Sequence, residues 1–440
     1  MADQSITYAR VAAIALPVVL SNVTVPLQGA VDTAIIGNLG DAVYLAAVTL
    51  GASAIALLLA LLYFLQFGGG GLAAQAWGAG DHNRLVNVLV RSLILAGFFG
   101  IVLVAAQTLI VPGIMLIYEG SAEAERLASV YVSIRIWAAP AELGILALSG
   151  WFAGQEQTRR LFEMQVITSV TNIILNLFFV LGLGLDVDGV ALGTLIAAWL
   201  GFSFGLWRAR SRVMTLVPNW RPDRARLLNR AELVKLMRLN RDILIRTVLL
   251  VAAATWMTRL GSQQGDVILA ANGVLYQIFH VATYGLDGFA IAAESLVGQA
   301  AGARDRRLLR RSAVVSGIAA FWLAVGFSAL VFALQGPLIR VFTNVEEVRA
   351  AAHMFYFWAA VMPLIGVAAY HLDGIFVGAT ESVAMRNAMI VSAGIYFAVS
   401  GTLAEWYGNH GIWAGYWVLL LLRAATLIVQ YPALERRAAA

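Results

Sequence analysis

The chain has 440 residues, of which 60% are hydrophobic and 12% charged, and its mean hydropathy is +0.80. That is more apolar surface than a soluble core of this length could bury, which excludes an ordinary soluble domain and points to an integral membrane protein. The absence of cysteine excludes disulfides and thiolate metal sites, and the net charge of +5 sits in loops between apolar runs, which fits membrane orientation and excludes a nucleic-acid partner.

A span needs about 20 mostly apolar residues. Hydropathy places twelve near 10–37, 43–70, 87–111, 127–154, 162–184, 188–208, 242–261, 267–299, 312–335, 351–378, 385–404 and 411–431. Polar–apolar alternation of a barrel is missing, so the fold class is an all-α membrane bundle. The first run is too long for a cleavable signal and is expected to stay as a span. It holds Pro17 and Pro26, and six residues beyond Pro26, in "VPLQGAVDTAIIGNLG", stands a single carboxylate, Asp32. Proline removes a backbone hydrogen bond, so Pro26 is a candidate hinge whose bending would move Asp32.

Charges inside spans each cost roughly 2.5–3.5 kcal/mol at a helix centre, so each one needs a cavity or a partner. In the fourth span Arg135 and Glu142 lie seven residues apart on one face and are expected to pair. The fifth offers Asn172 and Asn176, one turn apart on a shared face, and the sixth offers Thr194. At 1.5 Å per residue from the outer ends, Asp32, Asn176 and Thr194 lie roughly 8, 12 and 9 Å deep, in one layer. A carboxylate, two amides and a hydroxyl there would make a proton or cation site, because burial penalises the charged carboxylate and lets its proton be traded. In the seventh span Arg246 and Asp242 are four apart, with Glu294 of the eighth at similar depth, and the expectation is a structural ion-pair network. Asp287 and Asp373 lie deeper as candidate cavity acids, and Arg423 is a further cation inside the twelfth span. His280 and His371 lack a convergent ligand set and are read as interior residues, so no metal is expected.

Two enzyme-like spellings carry no chemistry. "GFSFG" at 201–205 lies inside an apolar span rather than at a strand-to-helix turn, and "GGGG" at 68–71 is not followed by GK[ST]. No catalytic set or ATP signature is present, so the chain is read as a non-enzyme without cofactor, driven by an ion gradient.

An internal repeat organises the chain. "LAAQAWGAGD" from Leu72 matches "LVGQAAGARD" from Leu296 at six of ten positions, 224 residues apart. The same offset relates Leu45–Ala47 to Leu269–Ala271 and "GWFAG" from Gly150 to "GIFVG" from Gly374, while "GVALG" from Gly189 pairs with "GIWAG" from Gly411. The expected organisation is two pseudo-symmetric six-helix lobes, 1–208 and 241–440, joined by a basic linker over 209–240. Parallel repeats of this kind suit an alternating-access transporter. Most Lys and Arg fall in loops of one side, densest in the linker and in "ARDRRLLRR", and acids dominate the other, which puts both termini in the cytosol and the basic loops against anionic lipid.

The stretches "NVTVPLQG", "VDTAIIG", "LAAQAWGAGD", "LNRDILIRT", "YGLDGFAIAAESLVGQAAGARD" and "LDGIFVGATESVAMRN" resemble the multidrug and toxic compound extrusion (MATE) antiporters, specifically the DinF-type branch, over essentially the whole chain. The resemblance implies a bacterial inner-membrane transporter, expected as a monomer, that exports small organic, often cationic or amphipathic compounds in exchange for protons or sodium. Asp32 matches the coupling aspartate of that branch's first helix, and Pro26 the proline at which it bends. Some relatives carry an aspartate at the position of Asn176, next to matches for Asn172 and Thr194, and that extra acid helps to hold sodium. The NorM branch has an acid in the middle of the seventh span where "VLLVAAATWM" has none, although Asp373 matches its tenth-helix aspartate. Both departures favour protons. A sodium-coupled drug antiporter and a lipid-linked oligosaccharide flippase of the same superfamily are the alternatives; the flippase would call for a basic cavity.

Overall fold

The computed structural model describes residues 5–37, 42–115 and 121–438. Among them, twelve helices are long and apolar enough to cross a membrane: α1 Tyr8–Gly37, α2 Val43–Gly78, α3 His82–Ala105, α4 Ala122–Gly154, α5 Thr158–Gly182, α6 Val187–Leu216, α7 Ala225–Ser262, α8 Asp266–Gly302, α9 Arg306–Ala333, α10 Glu346–Gly378, α11 Ser382–Tyr407 and α12 Asn409–Ala438. No strand occurs among the described residues. Large apolar side chains such as Ile101, Leu109, Trp322 and Val429 stand more than half exposed, as a lipid-facing surface requires.

The helices outrun the hydropathy limits at their charged ends. Of the expected linker 209–240, only 217–224 falls between α6 and α7. Arg, Leu, Glu and Lys are good helix formers whatever their hydropathy. Asn229 adds a local cap, its Oδ1 accepting from the backbone N–H groups of Ala231 and Glu232.

The chain divides into two compact units, Leu20–Leu236 and Met1–Val19 with Met237–Ala440. In the first, Ile35 and Ile36 of α1 are buried with Ala47 and Ile55 of α2, Tyr131 and Val132 of α4, and Val187 and Val190 of α6. In the second, the largest core joins Met257 of α7, Phe279 of α8, Tyr356 of α10 and Trp413 of α12. The start of α1 belongs to this second unit, where the sequence reading set it in the first lobe. Its apolar stripe Val11, Ile14 and Ala15 is buried with Leu286, Phe289 and Leu296 of α8. Gly288 admits that contact, since a Cβ there would meet the carbonyl of Ala15 at 2.9 Å.

The two units repeat one another at the level of single atoms. Gly150 and Gly154 of α4 press on the backbone of Gln66 and Gly70 in α2; Gly374 and Gly378 of α10 press on Ala290 and Glu294 in α8, each 224 residues further on. "GGGG" is therefore a close-packing surface, buried throughout. The repeated "GAGD" and "GARD" are a turn of defined geometry. Gly80 and Arg304 have φ of 70° and 55°, and Asp81 and Asp305 come next as N-caps, accepting from the N–H groups of Arg84 and Leu308 at 2.8 and 2.9 Å. Glu156 and Thr380 form a second such pair, with φ of 61° and 58°.

Candidate functional site

Three helices of the Leu20–Leu236 unit assemble the polar layer. α1 brings Asp32, partly buried; α5 brings Asn172 and Asn176, both 0% exposed; α6 brings Thr194, 6% exposed. Asn176 Nδ2 donates to Asp32 Oδ1 at 2.6 Å and to Asn172 Oδ1 at 3.3 Å. Asn172 Nδ2 donates to Thr194 Oγ1 at 2.8 Å, and that hydroxyl donates to the Val190 carbonyl at 2.8 Å. The four residues thus form one continuous run of hydrogen bonds that diverges at Asn176, ending on the Asp32 carboxylate at one end and on the Val190 carbonyl at the other.

The chain is held from behind by packing. Gly193 of α6 lies against Asn176 Oδ1, where any Cβ would collide, and this oxygen is buried with no hydrogen-bond partner. A π-turn over Leu177–Gly182 comes directly after Asn176 and ends α5. One turn before Asp32, Gln28 Oε1 accepts from Ser169 Oγ of α5 at 3.2 Å, a second polar tie between the same two helices that the sequence reading missed. Its i, i+4 spacing from Asp32 was the available signal. Pro26 lies within α1, which is helical without a break from Tyr8 to Gly37.

Arg135 and Glu142 form an ion pair at 2.5 Å. They straddle a change of helix in α4, where a 3₁₀ turn at Ile136–Ala138 precedes Pro140, so the pair staples the two halves together. Arg135 is within electrostatic reach of Asp32, as is Tyr131, one turn before it. Tyr131 packs where Gly51 of α2 leaves room; a Cβ on Gly51 would meet its ring at 2.5 Å.

The acids of the second unit are arranged differently. Asp373 is 8% exposed and is clamped between Arg246 of α7 and Arg423 of α12, both buried. The expected network of Asp242, Arg246 and Glu294 takes another form. Asp242, wholly buried, accepts from Ser382 Oγ at 3.0 Å and pairs with Arg386 at 2.9 Å, both on α11, while Arg246 reaches across to α10. Arg246 and Arg423 also lie in the field of Asp287, and Arg246 in that of Glu294. His371 Nε2 lies 2.9 Å from the Ala313 carbonyl and so carries the hydrogen; His280 stacks among Tyr276, Phe279 and Tyr284.

The repeat identifies the counterparts of the polar chain. The 224-residue offset takes Asp32 to Trp256, Asn172 to Tyr396 and Asn176 to Ser400, and the 222-residue offset of Gly189 and Gly411 takes Thr194 to Tyr416. Trp256 Nε1 donates to Ser400 Oγ at 2.9 Å, in the place of the Asn176–Asp32 bond. Tyr396 and Tyr416 meet edge to face at 6.3 Å, in the place of Asn172 and Thr194. Gly415 lies against Ser400 as Gly193 lies against Asn176.

The MatE family model matches residues 17–178 and 243–401 of the chain. DNA damage-inducible protein F of Escherichia coli (strain K12) is 37% identical over 426 residues, covering 94% of this chain and 90% of that protein. Protein DETOXIFICATION 44, chloroplastic, of Arabidopsis thaliana is 26% identical over 94% of this chain and 80% of its own. A solved structure described as MATE in the bent conformation superposes with a TM-score of 0.87 at 20% identity, covering 98% of this chain and 97% of that one.

Proposed function

The chain belongs to the MatE family of multidrug and toxin efflux transporters, and from that premise we propose that it is a proton-coupled antiporter whose coupling group is Asp32. It is a transporter rather than an enzyme, a multi-pass protein of the bacterial cytoplasmic membrane. Its substrates are small organic compounds, often cationic or amphipathic. The basic loops argue that both termini face the cytosol.

One observation carries the choice of ion. Asn176 turns its amide nitrogen, a donor, toward Asp32 at 2.6 Å. A hard cation at that carboxylate needs several converging oxygen ligands at once, whereas the Asn176 amide presents N–H groups as it stands and, rotated, adds a single oxygen. A proton needs only the carboxylate and, once bound, an acceptor for the new O–H. Rotating the Asn176 amide by 180° supplies one, because its Oδ1 is buried and unpartnered beside Gly193. Deprotonated Asp32 accepts from Asn176 and attracts cationic substrate; protonated Asp32 donates to Asn176 and loses that attraction. Because the two occupants exclude one another, proton entry drives substrate release, and the bend of α1 at Pro26 carries the change along the helix.

The test is uptake of a fluorescent cation into inside-out vesicles energised by a pH gradient, acid inside, where uptake corresponds to efflux from the cell. Wild-type protein should transport without sodium, and Asp32→Asn should not transport at all. Efflux that collapses without sodium, or survives in Asp32→Asn, would overturn the reading. The Na+-coupled alternative has Asp32 and Thr194 as oxygen donors in its favour, and the sodium arm decides against or for it. Asp287, Glu294, Asp373, Arg246 and Glu142 have supporting roles in this reading: they hold their lobes in shape.

A further inference from the structure

We propose that a groove on the outer face of the second unit, between α9, α10 and α12, is a binding site for one anionic phospholipid. The groove holds about 620 Å³. Its α9 wall is a single stripe, Arg310, Val314, Ile318 and Phe321, and Ile428 and Tyr431 of α12 face it. From Arg310 to Phe321 the stripe runs about 16 Å at 1.5 Å per residue, close to half of the ~30 Å hydrocarbon core, so it accommodates an acyl chain of one leaflet.

The mouth of the groove is cationic and built. Glu435, 3% exposed, pairs with Arg306 at 3.2 Å and with Arg310 at 3.4 Å. Those two guanidinium groups keep 56% and 71% of their side-chain surface exposed, so Glu435 aims them while leaving donor edges for a phosphate. Arg307, Arg311 and Arg436 are exposed around them. Two carboxylates, Glu435 and the helix cap Asp305, set against these arginines still leave a surplus of positive charge at the level where the span meets the headgroups. An apolar channel ending in such a cluster is matched by a molecule with a phosphate at one end and a chain at the other. Net negative charge favours phosphatidylglycerol over phosphatidylethanolamine, whose own ammonium group would oppose the arginines.

The experiment uses the purified full chain in detergent, with bound lipid counted by native mass spectrometry and thermal stability read alongside. Phosphatidylglycerol should be retained at one copy and raise the melting temperature saturably. Phosphatidylethanolamine with the same chains should bind at least fivefold more weakly, and inorganic phosphate should give no shift. Arg310→Gln should weaken retention about fivefold, the effect of one basic residue at an anionic headgroup. Val314→Trp, at a position 52% exposed, should fill the groove and abolish retention while leaving the lipid-free melting temperature unchanged; Ile428→Trp does the same from the opposite wall. Equal retention of phosphatidylethanolamine, a shift with phosphate alone, or wild-type binding by the groove-filling variants would overturn the site.

Discussion

Set at the same place in the two repeats are a chain of carboxylate, amides and hydroxyl, Asp32–Asn176–Asn172–Thr194, and a cluster of indole, hydroxyl and phenols, Trp256, Ser400, Tyr396 and Tyr416. Their backbones are held alike, since Gly193 and Gly415 let the following helix press on the same position. Duplication has kept the frame and changed what it carries. The first set ends on a carboxylate whose hydrogen-bond partner is a neutral amide, and such a group can gain and lose a proton. In the second set the acid is replaced by tryptophan, and Asp373, one of that unit's buried carboxylates, stands elsewhere between two arginines. An acid held that way is tied to a cation on each side. In the proposed mechanism the first unit exchanges protons and the second holds its shape.

The largest test of this contrast substitutes the two acids in turn. Asp32→Asn should remove proton-driven efflux entirely while leaving the melting temperature near that of wild type, because asparagine keeps the shape and an acceptor oxygen for Asn176. Asp373→Asn should do the reverse at the level of stability: stripping the carboxylate from two buried arginines should cost about 3–5 kcal/mol, read as a large fall in melting temperature in detergent. Equal stability losses in both would erase the distinction.

A smaller effect separates the glycines. Gly193→Ala places a methyl group on Asn176 Oδ1 and should slow efflux roughly tenfold with an overpacking penalty of about 1–3 kcal/mol. Gly415→Ala meets Ser400 Cβ at 3.0 Å and should lower stability by less, with the pH dependence of efflux unchanged. Smallest is Trp256→Phe, which deletes the bond to Ser400 and should cost about 0.5–1.5 kcal/mol, measured by thermal unfolding, with coupling intact. A changed proton stoichiometry in that variant would show that the second unit also takes part in coupling.

Much of the bundle was legible in the sequence, and so was the layer around Asp32, for a common reason. Depth along a membrane helix grows linearly with residue number, so Asp32, Asn176 and Thr194 could be placed at one level from span ends alone. The repeat was equally visible because its residues serve the backbone: Gly80 and Arg304 turn the chain, and Asp81 and Asp305 cap α3 and α9. The features that stayed hidden depend on how helices are rotated against each other. Arg246 and Asp242 are neighbours on one helix face, yet Asp242 turns to Ser382 and Arg386, and Arg246 to Asp373, over 100 residues away. The hold of Arg423 on Asp373, and the packing of α1's first turns on α8, are tertiary choices of the same kind. The charged ends of α6 and α7 escaped because hydropathy measures lipid preference and not helix propensity.

The most direct measurement is proton release from purified protein on adding an organic-cation substrate, recorded with a pH dye in weakly buffered detergent, without sodium and then with it. Wild-type protein should release protons in proportion to substrate bound, equally in both conditions, and Asp32→Asn should release none. Release that depends on sodium, or that persists in Asp32→Asn, would contradict Asp32 as the proton carrier.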